Sequence, residues 1–146
     1  MDLSVPVYSA YLGAFLIALQ TILAAIAGGH RGRHRKGIGC ADDPVLERKV
    51  RRHANMAEYA PIFLIVVALF ELIAGQTQTI FWLCIVFAAS RILHLIGFSS
   101  SAGSHLVDPS GSRWVFVLAR MAGAGLTLLS SIILAIALAL HVSTLP

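Results

Sequence analysis

The stretch ERKVRRHANMAEYAPIFLIVVALF, residues 47–70, sets three arginines, a lysine, two glutamates, a histidine and an asparagine directly against an uncharged apolar run. Comparable apolar runs recur along the chain, at 4–28, about 55–74, 79–98 and about 115–141. Each is close to the roughly 20 residues that a helix needs to cross a bilayer core. None shows period-two alternation. A bilayer admits only helices or closed barrels, so the runs predict membrane-spanning helices. The first run follows no basic residue and exceeds a usual signal-peptide core, so it counts as a helix of the fold. The expected class is all-α: an integral membrane four-helix bundle, with residues 1–146 forming a single domain.

Composition agrees with this reading. Hydrophobic residues make up 58% of the 146 and charged residues 12%, which leaves no material for a separate soluble domain. All 11 lysines and arginines lie in or toward two connections, between the first and second runs and between the third and fourth. The short turn GQTQ, residues 75–78, and both termini carry none. The positive-inside rule therefore predicts a multi-pass protein with both basic connections in the cytoplasm and both termini on the other side. Basic character here is topology, and with no interleaving of aromatic and basic residues it argues against a nucleic-acid partner.

Cys40 and Cys84 fall in a loop and a membrane segment without ligand spacing, so no disulfide framework or zinc site is expected. His53, His94, His105 and His141 form no i, i+4 pair, which argues against a metal or haem. Gln20, alone in the first run, fits an interhelical hydrogen bond better than a transport site. The MAGAGL segment, residues 121–126, supplies Gly123 and Gly125 for close helix packing.

Placed on a helix at about 100° per residue, Arg48, Arg51, Asn55, Glu58 and Tyr59 share one face about 100° wide. Small residues, Ala54, Ala57 and Ala60, take the other side. Glu58 lies just inside the apolar boundary, where an unpaired carboxylate is costly. Its i±3 and i±4 neighbours are Ala54, Asn55, Pro61 and Ile62, so its own helix offers no cation. Two partners remain open. One is Arg91 of the third run, in a structural ion pair; the other is a cationic group on a ligand. A ligand suited to such a face is polar and multiply anionic, with at least one cation. Glutathione meets that description, and so do some lipid head groups and nucleotides.

The pattern Glu47, Arg48, Arg51, Asn55, Glu58, Tyr59 and Pro61 resembles the second-helix signature of the MAPEG family, the membrane-associated proteins of eicosanoid and glutathione metabolism. The four-run layout extends the resemblance over the whole chain. It implies a homotrimer of four-helix subunits that holds glutathione, as substrate, between neighbours near the cytoplasmic surface. On the matching positions Arg51, Asn55, Glu58 and Tyr59 would bind glutathione, with Glu58 taking its ammonium. Arg31 resembles the family's basic residue that contacts a glutathione carboxylate, and His53 stands at a position that is polar in some relatives. The run RILHLIGF, residues 91–98, resembles the family's third-helix pattern and gives Arg91 and His94 roles at the site. Its last position is Phe98, where the pattern has a tyrosine, so one ligand-facing hydroxyl is missing. Arg113, at the start of the fourth run, is matched to the family's thiolate-stabilising arginine, with Arg120 in reserve.

The resemblance thus implies a glutathione transferase that conjugates the thiolate to a lipophilic electrophile arriving from the bilayer, with glutathione peroxidase activity as an accompanying reaction. Two other classes stay open. One is a non-catalytic trimer of the same fold that binds membrane lipids or acts as a scaffold. The other, a small transporter, is weakened by the absence of charge near the midplane of the first and fourth runs.

Overall fold

The computed structural model describes residues 4–40, 42–104, 108 and 111–145, so His105 lies outside the described residues. It contains four helices: α1 (Val7–His34), α2 (Pro44–Ala74), α3 (Gln78–Gly97) and α4 (Trp114–Ser143), with a 3-10 turn at Gly111–Arg113 before the last. Each helix is long and apolar enough to cross a membrane. They pack as two close pairs, α1 with α2 and α3 with α4. Phe63 and Phe87 stack at 3.7 Å between α2 and α3, within a core that includes Leu16, Val67, Ile80 and Leu134.

Two helices outrun their apolar segments. α1 continues past Gly28 to His34, and α2 starts at Pro44, so the whole polar stretch from Glu47 is helical. The start of α2 is fixed locally. Asp43 Oδ1 accepts the backbone N–H groups of Val45 and Leu46, at 3.1 and 2.9 Å, and Pro44 needs no donor at the first helical position. The Leu46 N–H, followed by the His30 ring, holds the Asp43 carboxyl below the usual carboxylate range, so the cap is ionised at neutral pH. Across the connection, Arg31 Nη1 donates to the carbonyls of Lys36, Gly37 and Gly39.

At the other end of the bundle, α1 begins after Pro6 without a side-chain cap of its own. Its orphan N–H groups are met from another helix. The Glu71 carboxylate, fully buried in the last turn of α2, accepts from Tyr8 N and Ser9 N at 2.8 Å each, and from Ser9 Oγ at 2.5 Å. A buried anion at a helix N-terminus is favourable because the first-turn N–H groups and the helix dipole both point at it. Glu71→Ala is therefore expected to destabilise the fold by roughly 2 to 4 kcal/mol, since it removes charge-assisted hydrogen bonds and leaves buried donors unpaired. Thermal unfolding in mild detergent checks this; unchanged melting would show that α1 does not depend on the carboxylate.

The α3–α4 pair comes closest. A Cβ built on Gly123 would lie 2.5 Å from His94 N and 2.8 Å from Ser90 O, and one on Gly97 would lie 2.5 Å from Arg120 N. Gly125 faces open space within the chain, so Gly123 alone of the MAGAGL pair serves this contact. These approaches bring His94 and Arg91 of α3 against Arg120 and Thr127 of α4.

Candidate functional site

The polar face of α2 looks out from the bundle at the end that carries the basic connections. Arg51, Glu58 and Tyr59 are exposed in the single chain, while Arg48 and Asn55 are half-buried. Glu47, Arg48, Arg51 and Asn55 form one wall of a cavity of about 270 Å³, closed on the other side by Phe98, Ser104 and Arg120. Asn55 also lines a smaller cavity of about 70 Å³, between Tyr59, Arg91, His94 and Thr127. The two spaces share Asn55 of α2 as a lining residue.

Cations predominate in the larger cavity: among the described residues, three arginines stand against the carboxylate of Glu47. Arg120 is held in place by donating from Nη1 to Gly103 O at 2.9 Å, and its guanidinium lies 4.4 Å from the centre of the Phe98 ring. The residue that lacks the expected hydroxyl thus offers a π face to a cation. Phe98 also meets His94, with ring centroids 5.0 Å apart.

Arg91 is buried, at 3% exposure, and its setting bears on the open question about Glu58. The guanidinium lies 5.6 Å from the Tyr59 ring centre and 5.5 Å from that of Phe87, and Nη2 donates to Thr127 Oγ1. Thr127 in turn donates to Gly123 O and contacts Ser90 Oγ at 3.0 Å. Among the described residues Glu58 forms no ion pair with Arg91 or any other cation. The carboxylate stands on the outer face, one turn along α2 from Asn55. Arg91 Nε is buried without a hydrogen-bond partner.

Within one chain the remaining candidates lie apart. His53 Nε2 is 2.9 Å from Gln20 Nε2, which turns the imidazole toward α1 and gives Gln20 the interhelical bond its sequence position suggests. Arg31 is engaged with its loop carbonyls and lines neither cavity. Arg113 is exposed at the end of the 3-10 turn and also lines neither. The chain therefore gathers Arg51, Asn55, Tyr59, Arg91, His94 and Arg120, and leaves Arg31, His53, Glu58 and Arg113 outside the two cavities. Two contributors carry no clear sequence signal. Ser104 sits in a loop of similar residues, and Thr127 in an apolar helix is conspicuous only as a hydroxyl one turn beyond Gly123.

A search of curated protein sequences returned no match. Comparison with protein families matched the MAPEG family model over residues 9–140, nearly the whole chain. With four membrane-length helices beneath that match, this multi-pass integral membrane protein belongs to the MAPEG family.

Proposed function

We propose that the chain is a membrane-bound glutathione transferase, working as a homotrimer in which the outer face of α2 meets a neighbouring subunit. The observation that carries this reading is a pair of opposite needs on one helix face. Arg48 and Arg51 line a cavity suited to carboxylates, with Arg120 of α4 on its opposite wall left for the thiolate, while Glu58, one turn from Asn55, is a carboxylate with no ion pair among the described residues. Glutathione brings two carboxylates, an ammonium and a thiol. Its carboxylates fit Arg48 and Arg51, its ammonium fits Glu58, and charge-assisted hydrogen bonds on both sides fix the thiol's position.

The nucleophile belongs to the substrate, so the protein's work is binding, orientation and stabilisation of the thiolate. The sulfur gives up its proton, forms a bond to the electrophilic carbon, and displaces a leaving group or opens a strained ring. With a lipid hydroperoxide in place of the carbon electrophile, the same thiolate attacks the O–O bond and releases the lipid alcohol, and a second glutathione displaces water from the oxidised sulfur to give glutathione disulfide. An apolar groove of about 470 Å³ between α1 and α2, walled by Leu16, Met56, Ala60 and Leu64, offers lipophilic molecules an approach at membrane depth. Arg31, His53, Glu58 and Arg113 line neither cavity of their own chain, and in this reading any contact they make with glutathione lies at the subunit boundary. With the basic connections in the cytoplasm, the site opens to cytoplasmic glutathione and both termini stand on the opposite side.

Glu58→Gln tests the ammonium contact. It is expected to weaken glutathione binding by roughly 1.5 to 3 kcal/mol, the worth of a hydrogen bond to a charged group, and to leave the oligomer intact. Isothermal titration in detergent and size-exclusion chromatography read the two effects. Unchanged affinity, or a lost oligomer in place of lost affinity, would make Glu58 a structural residue. Tight binding of glutathione with no turnover of any electrophile would favour a non-catalytic binding role for the same site.

A further inference from the structure

A second crevice lies on the α1–α2 pair, away from the two cavities above, and combines features that no soluble ligand requires together. Its volume is about 370 Å³. One end is lined by Ile22 and Ile26, which are 55% and 40% exposed and so face outward at membrane depth. The other end is lined by His30, Arg33 and Lys49. At about 1.5 Å rise per residue, Arg33 stands roughly 10 Å beyond Ile26 along α1. That separation takes the crevice from the last turns of the apolar segment into the head-group layer.

The polar end carries two cations, Arg33 and Lys49, that form no ion pair among the described residues. Lys49 Nζ lies 2.8 Å from His30 Nδ1, and His30 Nε2 lies 2.9 Å from Asp43 Oδ2. This arrangement fits a neutral imidazole that donates from Nε2 to Asp43 and accepts at Nδ1 from the ammonium. Lys49 is thereby held at the crevice wall with its charge unneutralised. Arg33 is exposed and has no hydrogen-bond or ion-pair partner among the described residues. Between the two ends Gly29 leaves a gap, because a Cβ there would meet nothing within 4 Å.

We propose that this crevice is a binding site for an anionic glycerophospholipid of the adjoining leaflet, its phosphodiester held by Arg33 and Lys49 and one acyl chain lying over Gly29 against Ile22 and Ile26. Charge complementarity selects the anionic head, and the apolar end selects a lipid over a free anion. The site is separate from the proposed glutathione site and does not depend on it.

The test uses the full chain in detergent, titrated with dioleoyl-phosphatidylglycerol or dioleoyl-phosphatidylcholine and read by native mass spectrometry. The wild-type protein should retain phosphatidylglycerol preferentially. Arg33→Gln should weaken that retention about fivefold, the usual worth of one basic residue at an anionic surface, whereas Arg35→Gln makes the same charge change two residues away and should not. Gly29→Leu should abolish retention without changing charge, by filling the gap. The tailless head group, glycerophosphoglycerol, should not compete. Equal losses in Arg33→Gln and Arg35→Gln would reduce the effect to diffuse surface charge and overturn the proposal. Full retention in a folded Gly29→Leu protein, or effective competition by the head group alone, would overturn it as well. If Gly29→Leu does not fold, the comparison of Arg33 with Arg35 decides.

Discussion

Arg120→Ala is expected to lower turnover about a hundredfold at pH 7 while glutathione binds with nearly unchanged affinity. A thiol of pKa about 8.5 or above is mostly protonated at that pH, so a transferase must stabilise the anion. A guanidinium does this well, because it stays charged and presents several donors to a sulfur. Lowering the bound thiol by about two pKa units corresponds to roughly 2.7 kcal/mol. Removing a preorganised donor from developing negative charge commonly costs about 10²- to 10³-fold in kcat. The resemblance alone assigns this role to Arg113, but within the chain Arg113 is exposed at the start of α4. Arg120, seven residues on, forms the cavity wall opposite Arg51 and is held there by Gly103 O and the Phe98 ring. The geometry therefore supports Arg120.

The pH profile separates this role from simple loss of structure. A thiol with its pKa lowered gives a rate that levels off near neutrality. Without the arginine the rate should go on rising through about pH 8.5, so the deficit is largest in acid and shrinks as pH rises. The ultraviolet absorbance of the bound thiolate should disappear at pH 7 in Arg120→Ala and return in part in Arg120→Lys, which keeps a charge. Arg113→Ala should keep both the signal and the turnover. If Arg113→Ala alone abolishes the thiolate signal, the stabilising arginine reaches the sulfur across a subunit boundary; if neither substitution changes the profile, arginine stabilisation is wrong.

The apolar segments and the polar face of α2 were legible because each rests on a single-chain rule: hydropathy over a bilayer-length window for the first, helical periodicity for the second. Hydropathy marks the apolar span from about Asn55, whereas α2 itself starts 11 residues earlier, at Pro44. It sees only the part of a helix that lies in hydrocarbon, and the sequence Asp43-Pro44 held the missing N-terminal signal. What could not be read were the pairings between helices. Nothing in the sequence says that Thr127 rather than Glu58 meets Arg91, that Phe98 meets Arg120, or that Glu71 closes the first turn of a helix more than 60 residues away. These depend on the angle and separation at which helices meet, and small residues at the contact set that separation.

Gly123→Ala should accordingly have an effect out of proportion to one methyl group. On helix propensity alone the change stabilises by about 1 kcal/mol. Packing reverses the sign. The new Cβ would sit 2.5 Å from His94 N and 2.8 Å from both His94 Cα and Ser90 O, all backbone atoms that no rotamer change can move aside. Relief requires α3 and α4 to separate, and overpacking of this kind typically costs about 1 to 3 kcal/mol, with larger side chains costing more. Gly125→Ala is the internal control, since its Cβ meets nothing within 4 Å and should keep the propensity gain. Cys84 is buried in α3 and reports the outcome: in a Cys40→Ser background, its reaction with a thiol-reactive dye on heating should begin at lower temperature in Gly123→Ala and at unchanged or higher temperature in Gly125→Ala. Gly123→Leu should leave little folded protein. The site should feel the milder change too, because the same separation draws Thr127 away from Arg91 and shifts Arg120 relative to Phe98, so glutathione binding should weaken in protein that is still folded. Equal melting of the two alanine variants would show that the α3–α4 contact is not closed at Gly123.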